Sequence, residues 1–184
     1  KLREIEYLTA VQQYGLNSSI STVIDLEDVI PFVNTNLSIL KGTFLPIIIY
    51  ELSRLLRKYP KLNAYYNNKS IVYYDDINVG IAIDMDKGLK VLKIADTEKL
   101  SMVNLEEEIL SISKKYLEDK VTPSDASNIT FTLSDLSNEG VSAFLPLINK
   151  DNSAILAISS LDKFNGMTFT LTFDHRVTEG RYVA

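Results

Sequence analysis

The chemistry this chain could carry centres on its only imidazole, near the carboxyl end of the sequence. His175 follows the alternating segment 171–173, is flanked by Asp174 and Arg176, and precedes the carboxylate of Glu179 by four residues. Imidazole can serve as a general base because its unperturbed pKa lies near neutrality, so it can both take up and return a proton. A histidine in a polar tract is also commonly a surface or hydrogen-bonded residue. The residues alone therefore make His175 a candidate base and leave the structural alternative open.

Composition narrows the chemistry further. The 184 residues contain no cysteine, which excludes disulfides, thiolate metal sites and a cysteine nucleophile, and fits a reducing compartment. A single histidine also argues against a histidine-rich zinc site, so we expect no metal. The 19 basic and 24 acidic residues give a net charge of -5, which opposes loose binding to a phosphate backbone. No apolar run approaches the roughly 18 residues of a membrane span, so we expect neither a nucleic-acid nor a membrane partner.

Three segments show the apolar spacing of amphipathic helices. The strongest lies between Gly42 and Pro60, where Thr43 is predicted to cap the helix and Pro60 to end it. A second runs over 103–117, and its acidic run at 106–108 predicts a solvated helix start. The opening segment predicts a weaker helix that ends near Gly15, with apolar positions at Ile5, Leu8 and Val11.

The other ordered segments are predicted to be β-strands. The β-branched and aromatic runs lie at 20–26, 70–75, 79–84, 89–95, 129–134, 154–159 and 167–173. Turns are indicated at Lys87-Gly88 and Asn165-Gly166, and the second is the strongest hairpin signal in the chain. Tyrosine pairs at 65–66 and 73–74 are interpreted as strand and interface packing. Helices interrupt the strands without strict alternation, which favours an α+β fold, a single domain over 1–184 with a mixed sheet covered by helices.

Six short segments resemble, in order, the motifs of one enzyme family. They are Tyr59-Pro60-Lys61-Leu62-Asn63-Ala64, Asn78-Val79-Gly80-Ile81-Ala82-Ile83-Asp84, Gly88-Leu89-Lys90-Val91, Thr130-Phe131-Thr132-Leu133-Ser134, Pro146-Leu147-Ile148-Asn149 followed by Ala154-Ile155-Leu156, and His175-Arg176-Val177-Thr178-Glu179-Gly180. The last is similar to the H-R-x-x-D-G signature of the catalytic domain of 2-oxoacid dehydrogenase acyltransferases. These are the lipoamide-dependent E2 components, whose fold is shared with chloramphenicol acetyltransferase. The resemblance covers about residues 20 to 184.

This resemblance implies a homotrimer of two-layer subunits, with each active site in a channel at a subunit interface. Coenzyme A and dihydrolipoamide would enter from opposite ends as substrates. His175 would take the proton of the attacking thiol, and Ser134, at a strand end, would donate a hydrogen bond to the oxyanion from the neighbouring subunit. The trimers could assemble into a larger core, with the E1 and E3 components bound through domains absent from this chain. The expected location is the bacterial cytoplasm, or the mitochondrial matrix or plastid of a eukaryote.

Several positions depart from the family pattern. Glu179 replaces the aspartate of the signature, whose expected job is to hold the loop by pairing with an arginine, here Arg3 or Arg176. Leu92 replaces a proline, Ser137 replaces a glycine, and Ser127-Asn128 stand where a glycine pair is common. The chain also ends four residues after Gly180, where family members continue into a C-terminal helix, and it includes no lipoyl or subunit-binding domain.

Three functions follow from this pattern. The first is acyl transfer between dihydrolipoamide and coenzyme A by direct thiol attack, with His175, Ser134 and Glu179 in the site. With no cysteine in the chain, the reactive thiol would belong to the substrate. The second is a weakly active or inactive core of the same fold that scaffolds partners, and the departures at Glu179, Leu92 and Ser137 motivate it. The third is a related acyltransferase that uses a different acceptor.

Overall fold

The computed structural model describes residues 9, 15–36 and 43–184. Within these residues the helices are α1 (Val29–Asn36), α2 (Leu45–Lys58), α3 (Met102–Leu117) and α4 (Gly180–Val183). The strands are β1 (Asn17–Asp25), β2 (Ala64–Asn67), β3 (Ser70–Tyr73), β4 (Val79–Ile83), β5 (Lys90–Ile94), β6 (Phe131–Asp135), β7 (Ala154–Leu161) and β8 (Gly166–Asp174). The opening helix predicted around Ile5, Leu8 and Val11 lies outside the described residues.

Six strands form one mixed sheet in the order β1-β8-β7-β6-β4-β5. The central strand β6 runs parallel to both neighbours, whereas the β1-β8, β8-β7 and β4-β5 pairs are antiparallel. Both predicted turns close hairpins of this sheet. Asn165 adopts a left-handed φ of 61° between β7 and β8, and Gly88 a φ of 88° before β5. The expected mixed sheet in an α+β fold is confirmed.

Helices α2 and α3 cover one face of the sheet. Their buried residues join those of the strands in one hydrophobic core, which includes Ile49 and Leu56 of α2, Leu105 of α3, and Ile81 and Leu133 of the sheet. Side chains alternate along a strand, so the neighbours of these core residues point to the opposite face. The helices therefore form the second layer of a two-layer domain.

The ends of α2 and α3 agree with the sequence pattern except at the start of α2. Its N-cap is Phe44 rather than Thr43 and makes no side-chain cap hydrogen bond, although the backbone N–H of Leu45 donates to Thr43 Oγ1 at 3.2 Å. Helix α2 ends before the turn Pro60–Leu62, as predicted. Ser101 caps α3 by accepting a hydrogen bond from the backbone N–H of Asn104 at 3.2 Å. One expectation for α3 is wrong, because Glu106 is fully buried rather than solvated. The helical period turns this member of the acidic run toward the core.

Helix α1 and the β2-β3 hairpin were not predicted, although the tyrosine pair at 65–66 was interpreted as strand packing. Helix α1 contains Pro31, which is tolerated because a proline in the first turn removes no intrahelical donor. Strand β2 pairs with β3 in a separate two-stranded sheet through a two-residue turn. Both turn residues, Asn68 and Lys69, have left-handed φ values of 45° and 65°, as a type I′ turn requires. The absence of glycine there concealed the hairpin from the sequence.

Candidate functional site

His175 lies directly after β8 and is exposed. Its backbone N–H donates to the carbonyl oxygen of Leu16 at 2.8 Å. Its ring lies against Phe173, with the ring centroids 5.0 Å apart and the planes tilted by 56°. Phe173 is buried in the core, so the backbone bond and the ring contact fix the imidazole at the strand end. An exposed imidazole held in this way can exchange a proton with a molecule that binds from outside.

A buried carboxylate precedes the histidine. Asp174 is 5% exposed, and its carboxylate accepts hydrogen bonds from the backbone N–H, Nε and Nη2 of Arg176, the last at 2.6 Å. The ion pair raises the pKa of the Arg176 guanidinium above its ordinary value, mainly through the hydrogen bond to Asp174. The carbonyl oxygen of Asp174 also accepts from the backbone N–H groups of Val177 and Thr178, at 2.9 and 3.1 Å. Both the side chain and the backbone carbonyl of Asp174 therefore stabilise the turn that carries His175.

Arg176 also contacts an aromatic ring. Its guanidinium carbon lies 4.7 Å from the centroid of Tyr66, in strand β2. The sequence suggested Arg3 or Arg176 as the partner of Glu179. The structure pairs Arg176 with Asp174 instead, and Arg3 lies outside the described residues.

Glu179 lies at the N-terminus of the short helix α4 and is exposed. Its carbonyl oxygen accepts hydrogen bonds from the backbone N–H groups of Tyr182 and Val183, at 2.9 and 3.2 Å. Within the part of the chain that the structure describes, its carboxylate forms neither a hydrogen bond nor an ion pair. The backbone of Glu179 therefore starts the helix, while its charge points to the surface.

Ser134 lies near the carboxyl end of β6 and is half-buried. It pairs with Ala82 of β4 and Ala157 of β7. Because Leu133 belongs to the core, alternation places the Ser134 side chain on the face opposite α2 and α3.

One chain does not bring Ser134 and His175 together. The register runs from Ser134 to Ala157 and on to Thr170, five residues before His175. With about 3.3 Å per residue along β8 and about 4.8 Å between strands, the two Cα atoms are about 19 Å apart. They lie at opposite ends of the sheet, so a site that uses both must combine residues of two chains.

The asparagines of the segments that resemble the family motifs form side-chain hydrogen bonds that hold the backbone around these strands. Asn63 Nδ2 donates to the carbonyl oxygen of Asp76 at 2.9 Å, and Asn78 Nδ2 donates to that of Asn128 at 3.0 Å. Asn149 Nδ2 donates to Thr132 Oγ1, also at 2.9 Å. These residues support the site, and nothing in this arrangement gives them chemistry of their own.

The departures from the family pattern are structurally accommodated. Asn128 stands where a glycine pair is common and adopts a left-handed φ of 56°, which asparagine tolerates better than most residues. Leu92, in place of proline, is fully buried in the core on the edge strand β5. The backbone N–H of Ser137 donates to Asp135 Oδ1 at 2.8 Å, in a turn that does not need glycine.

A large cleft lies away from these residues. This cleft of about 750 Å³ is apolar, borders α2 and α4, and contains none of the three predicted site residues. Among the described residues, no cluster of histidine, aspartate and glutamate could hold a metal ion. No described helix is both long enough and apolar enough to cross a membrane.

Two residues beside the site were not singled out from the sequence. From the sequence alone, Asp174 was interpreted only as a neighbour of His175. The opposite charges of Asp174 and Arg176, two residues apart, could have predicted their ion pair. Tyr66 gave no such signal, because its contact with Arg176 joins positions far apart in the sequence.

Comparison with known proteins gives a consistent result. Residues 5–184 match the family model described as 2-oxoacid dehydrogenases acyltransferase (catalytic domain). The chain is 37% identical over 153 residues to the dihydrolipoyllysine-residue acetyltransferase component of the pyruvate dehydrogenase complex of Buchnera aphidicola. That match covers 76% of this chain but 38% of the relative, so the chain spans less than half of that protein.

Solved structures show the same fold. A truncated catalytic core of the 2-oxoacid dehydrogenase multienzyme complex from Thermoplasma acidophilum matches with a TM-score of 0.90 and 25% identity, covering 99% of this chain and 89% of that one. A chloramphenicol acetyltransferase matches with a TM-score of 0.64 and 12% identity, covering 97% and 88% of the two chains. The predicted relation to the chloramphenicol acetyltransferase fold is confirmed.

Proposed function

We propose that this chain, which belongs to the family of 2-oxoacid dehydrogenase acyltransferase catalytic domains, transfers an acyl group between the thiols of dihydrolipoamide and coenzyme A. The observation that carries the proposal is the position of the only histidine. His175 is exposed at the end of β8, within a segment that resembles the family signature. Coenzyme A and dihydrolipoamide are substrates in this reaction, and it needs no metal.

The reaction needs one proton transfer and one exchange of thioester bonds. His175 takes the proton of the attacking thiol, and the resulting thiolate forms a bond to the carbonyl carbon of the acyl thioester. The carbonyl π electrons move to the oxygen. When they return, the original carbon–sulfur bond breaks, and the departing thiolate takes the proton back from His175. The chain needs no nucleophile of its own, which fits its lack of cysteine.

The oxyanion of the tetrahedral intermediate needs a hydrogen-bond donor. Ser134 supplies it in this proposal, and one such donor typically contributes about 10²- to 10³-fold in rate. Since Ser134 and His175 of one chain are about 19 Å apart by strand geometry, the donor comes from a neighbouring copy. A homotrimer with three sites at its interfaces satisfies this requirement.

Glu179 is proposed to keep a negative charge near the loop of His175. In the described residues its carboxylate is exposed, so a partner would have to come from a neighbouring copy or from substrate. The E1 and E3 components of a 2-oxoacid dehydrogenase complex are proposed as partners of this chain. The proposed location is the bacterial cytoplasm, or the mitochondrial matrix or plastid of a eukaryote.

The test supplies the purified chain with acetyl-CoA and dihydrolipoamide and follows formation of the new thioester. His175→Ala should lower the rate by about 10²- to 10⁴-fold, the usual contribution of a general base. Glu108→Ala, which changes an exposed residue of α3, is the matched control and should leave the rate unchanged. A His175→Ala rate equal to that of the wild type would overturn the proposal.

A scaffold core is the second candidate, and the exposed carboxylate of Glu179 favours it. If the signature aspartate holds the loop through an ion pair, its replacement has left that pair unformed within the described residues. This alternative predicts trimers of normal size that turn over neither acetyl-, succinyl- nor branched-chain acyl-CoA. Turnover of any of the three would exclude it.

A further inference from the structure

We propose that Tyr66 is a positioning residue for His175, acting through Arg176 and Asp174. The inference rests on the proposed role of His175 as the base. Nothing in the family motifs marks Tyr66, and it does not touch His175. Its effect would pass through the charged pair that brackets the imidazole.

An ion pair between Asp174 and Arg176 brackets His175 in the sequence. Asp174 and Arg176 are the residues on either side of His175, and their side chains bind each other with Nε–O distances of 3.0 Å and an Nη2–O distance of 2.6 Å. A bond between residues i-1 and i+1 restricts the backbone of the residue between them. The direction in which the imidazole leaves the chain therefore depends on where the guanidinium lies.

Tyr66 sets the position of the guanidinium. The Arg176 side chain is 25% exposed, so the carboxylate alone does not enclose it. The Tyr66 ring lies under the guanidinium carbon at 4.7 Å, in a cation–π contact that fixes the side on which Arg176 rests. A polar cavity of about 200 Å³ borders Tyr66, Asp174 and Arg176. Once the ring is removed, this cavity gives the guanidinium room to move.

The strand that carries Tyr66 is itself anchored. Tyr65, the preceding residue in β2, stacks on Tyr74 with ring centroids 5.2 Å apart. The Tyr74 hydroxyl donates to the carbonyl oxygen of Asp151 at 2.8 Å. Two residues later, the carbonyl oxygen of Ser153 accepts the backbone N–H of Asp174 at 2.8 Å. The β2-β3 sheet and the turn that carries His175 are therefore both hydrogen-bonded to residues 151–153. These bonds hold the position of the Tyr66 ring relative to Arg176.

The test compares Tyr66→Ala and Tyr66→Phe with Tyr73→Ala, an exposed residue on the same hairpin. We expect Tyr66→Ala to lower kcat by about 3- to 30-fold with little change in KM, because removal of a cation–π contact moves the bracket rather than the substrate site. Tyr66→Phe keeps the aromatic face and should restore kcat to within about twofold. Tyr73→Ala should match the wild type.

A second readout does not depend on turnover. The chain has one histidine, so an untagged sample gives a single set of imidazole signals in an NMR spectrum. Phe173, 5.0 Å away, imposes a ring-current shift that reports the orientation of the imidazole. Tyr66→Ala should shift or broaden these signals, and Tyr66→Phe should not.

The outcomes separate the two proposals. If the wild type shows no acyl transfer, the proposed function fails, while the NMR comparison still tests the positioning. Imidazole signals and kcat that are unchanged in Tyr66→Ala would overturn the positioning role. An equal loss in Tyr66→Phe would also overturn it, because the hydroxyl rather than the ring would then be responsible.

Discussion

Two inactive variants of this protein should form an active enzyme when they assemble together. The first variant carries His175→Ala and keeps Ser134, and the second carries Ser134→Ala and keeps His175. The strand register separates the two residues of one chain by about 19 Å, so in the proposed mechanism each complete site takes one residue from each of two copies. In a mixed trimer, one interface then joins an intact His175 to an intact Ser134.

The expected magnitude follows from counting interfaces. Whether a mixed trimer contains one or two copies of either variant, about one of its three sites is complete, so its activity should be about one third of the wild-type value. Pure His175→Ala should fall by about 10²- to 10⁴-fold and pure Ser134→Ala by about 10²- to 10³-fold. The gain on mixing is therefore about 30-fold or more over either parent.

The assay co-expresses the two variants with different histidine-free tags and purifies mixed assemblies by both tags in turn. Thioester formation from acetyl-CoA and dihydrolipoamide is then measured per chain. The control carries His175→Ala under both tags, passes through the same purification and should stay inactive. Mixed assemblies no more active than the average of the two pure variants would show that Ser134 and His175 do not form a shared site between two chains.

Three further predictions concern stability, each measured by urea unfolding. Gly80→Ala should lower the free energy of unfolding by about 1–3 kcal/mol, because an added Cβ would lie 2.6 Å from the Ile129 side chain. Leu133→Ala should cost about 2–5 kcal/mol, since the side chain is fully buried. The Lys115 ammonium lowers the pKa of Asp125, so this carboxylate stabilises the fold above its unfolded pKa, about 3.9, and the stabilisation is lost as the pH falls through the lower folded value. Asp125→Asn should therefore cost up to about 1 kcal/mol at pH 7 and progressively less below about pH 4, whereas a difference independent of pH would contradict this account.

Secondary structure was predictable where one physical signal dominates. The period of apolar residues specified α2 and α3, and Asn165-Gly166 marked the hairpin between β7 and β8. Helix α1 was missed because Pro31 obscured its start. Strand β2 is four residues long, and its turn uses asparagine and lysine in place of glycine.

The site was predictable only in part. His175 and Ser134 were found through residue type and the resemblance of their segments to family motifs. Their separation within one chain depends on the strand order, which the sequence alone does not establish. The same holds for the contact of Tyr66 with Arg176, which exists only after the small sheet packs against the segment before β7.

The distance between Ser134 and His175 also bears on how the output of the proposed enzyme scales with its concentration. A lone subunit would hold a base without an oxyanion donor and could not consume acyl-CoA efficiently. Activity per chain would then fall on dilution as copies dissociate, rather than stay constant as it does for a monomeric enzyme. Newly made subunits would be inactive until they assemble, so acyl transfer would begin only after assembly has taken place.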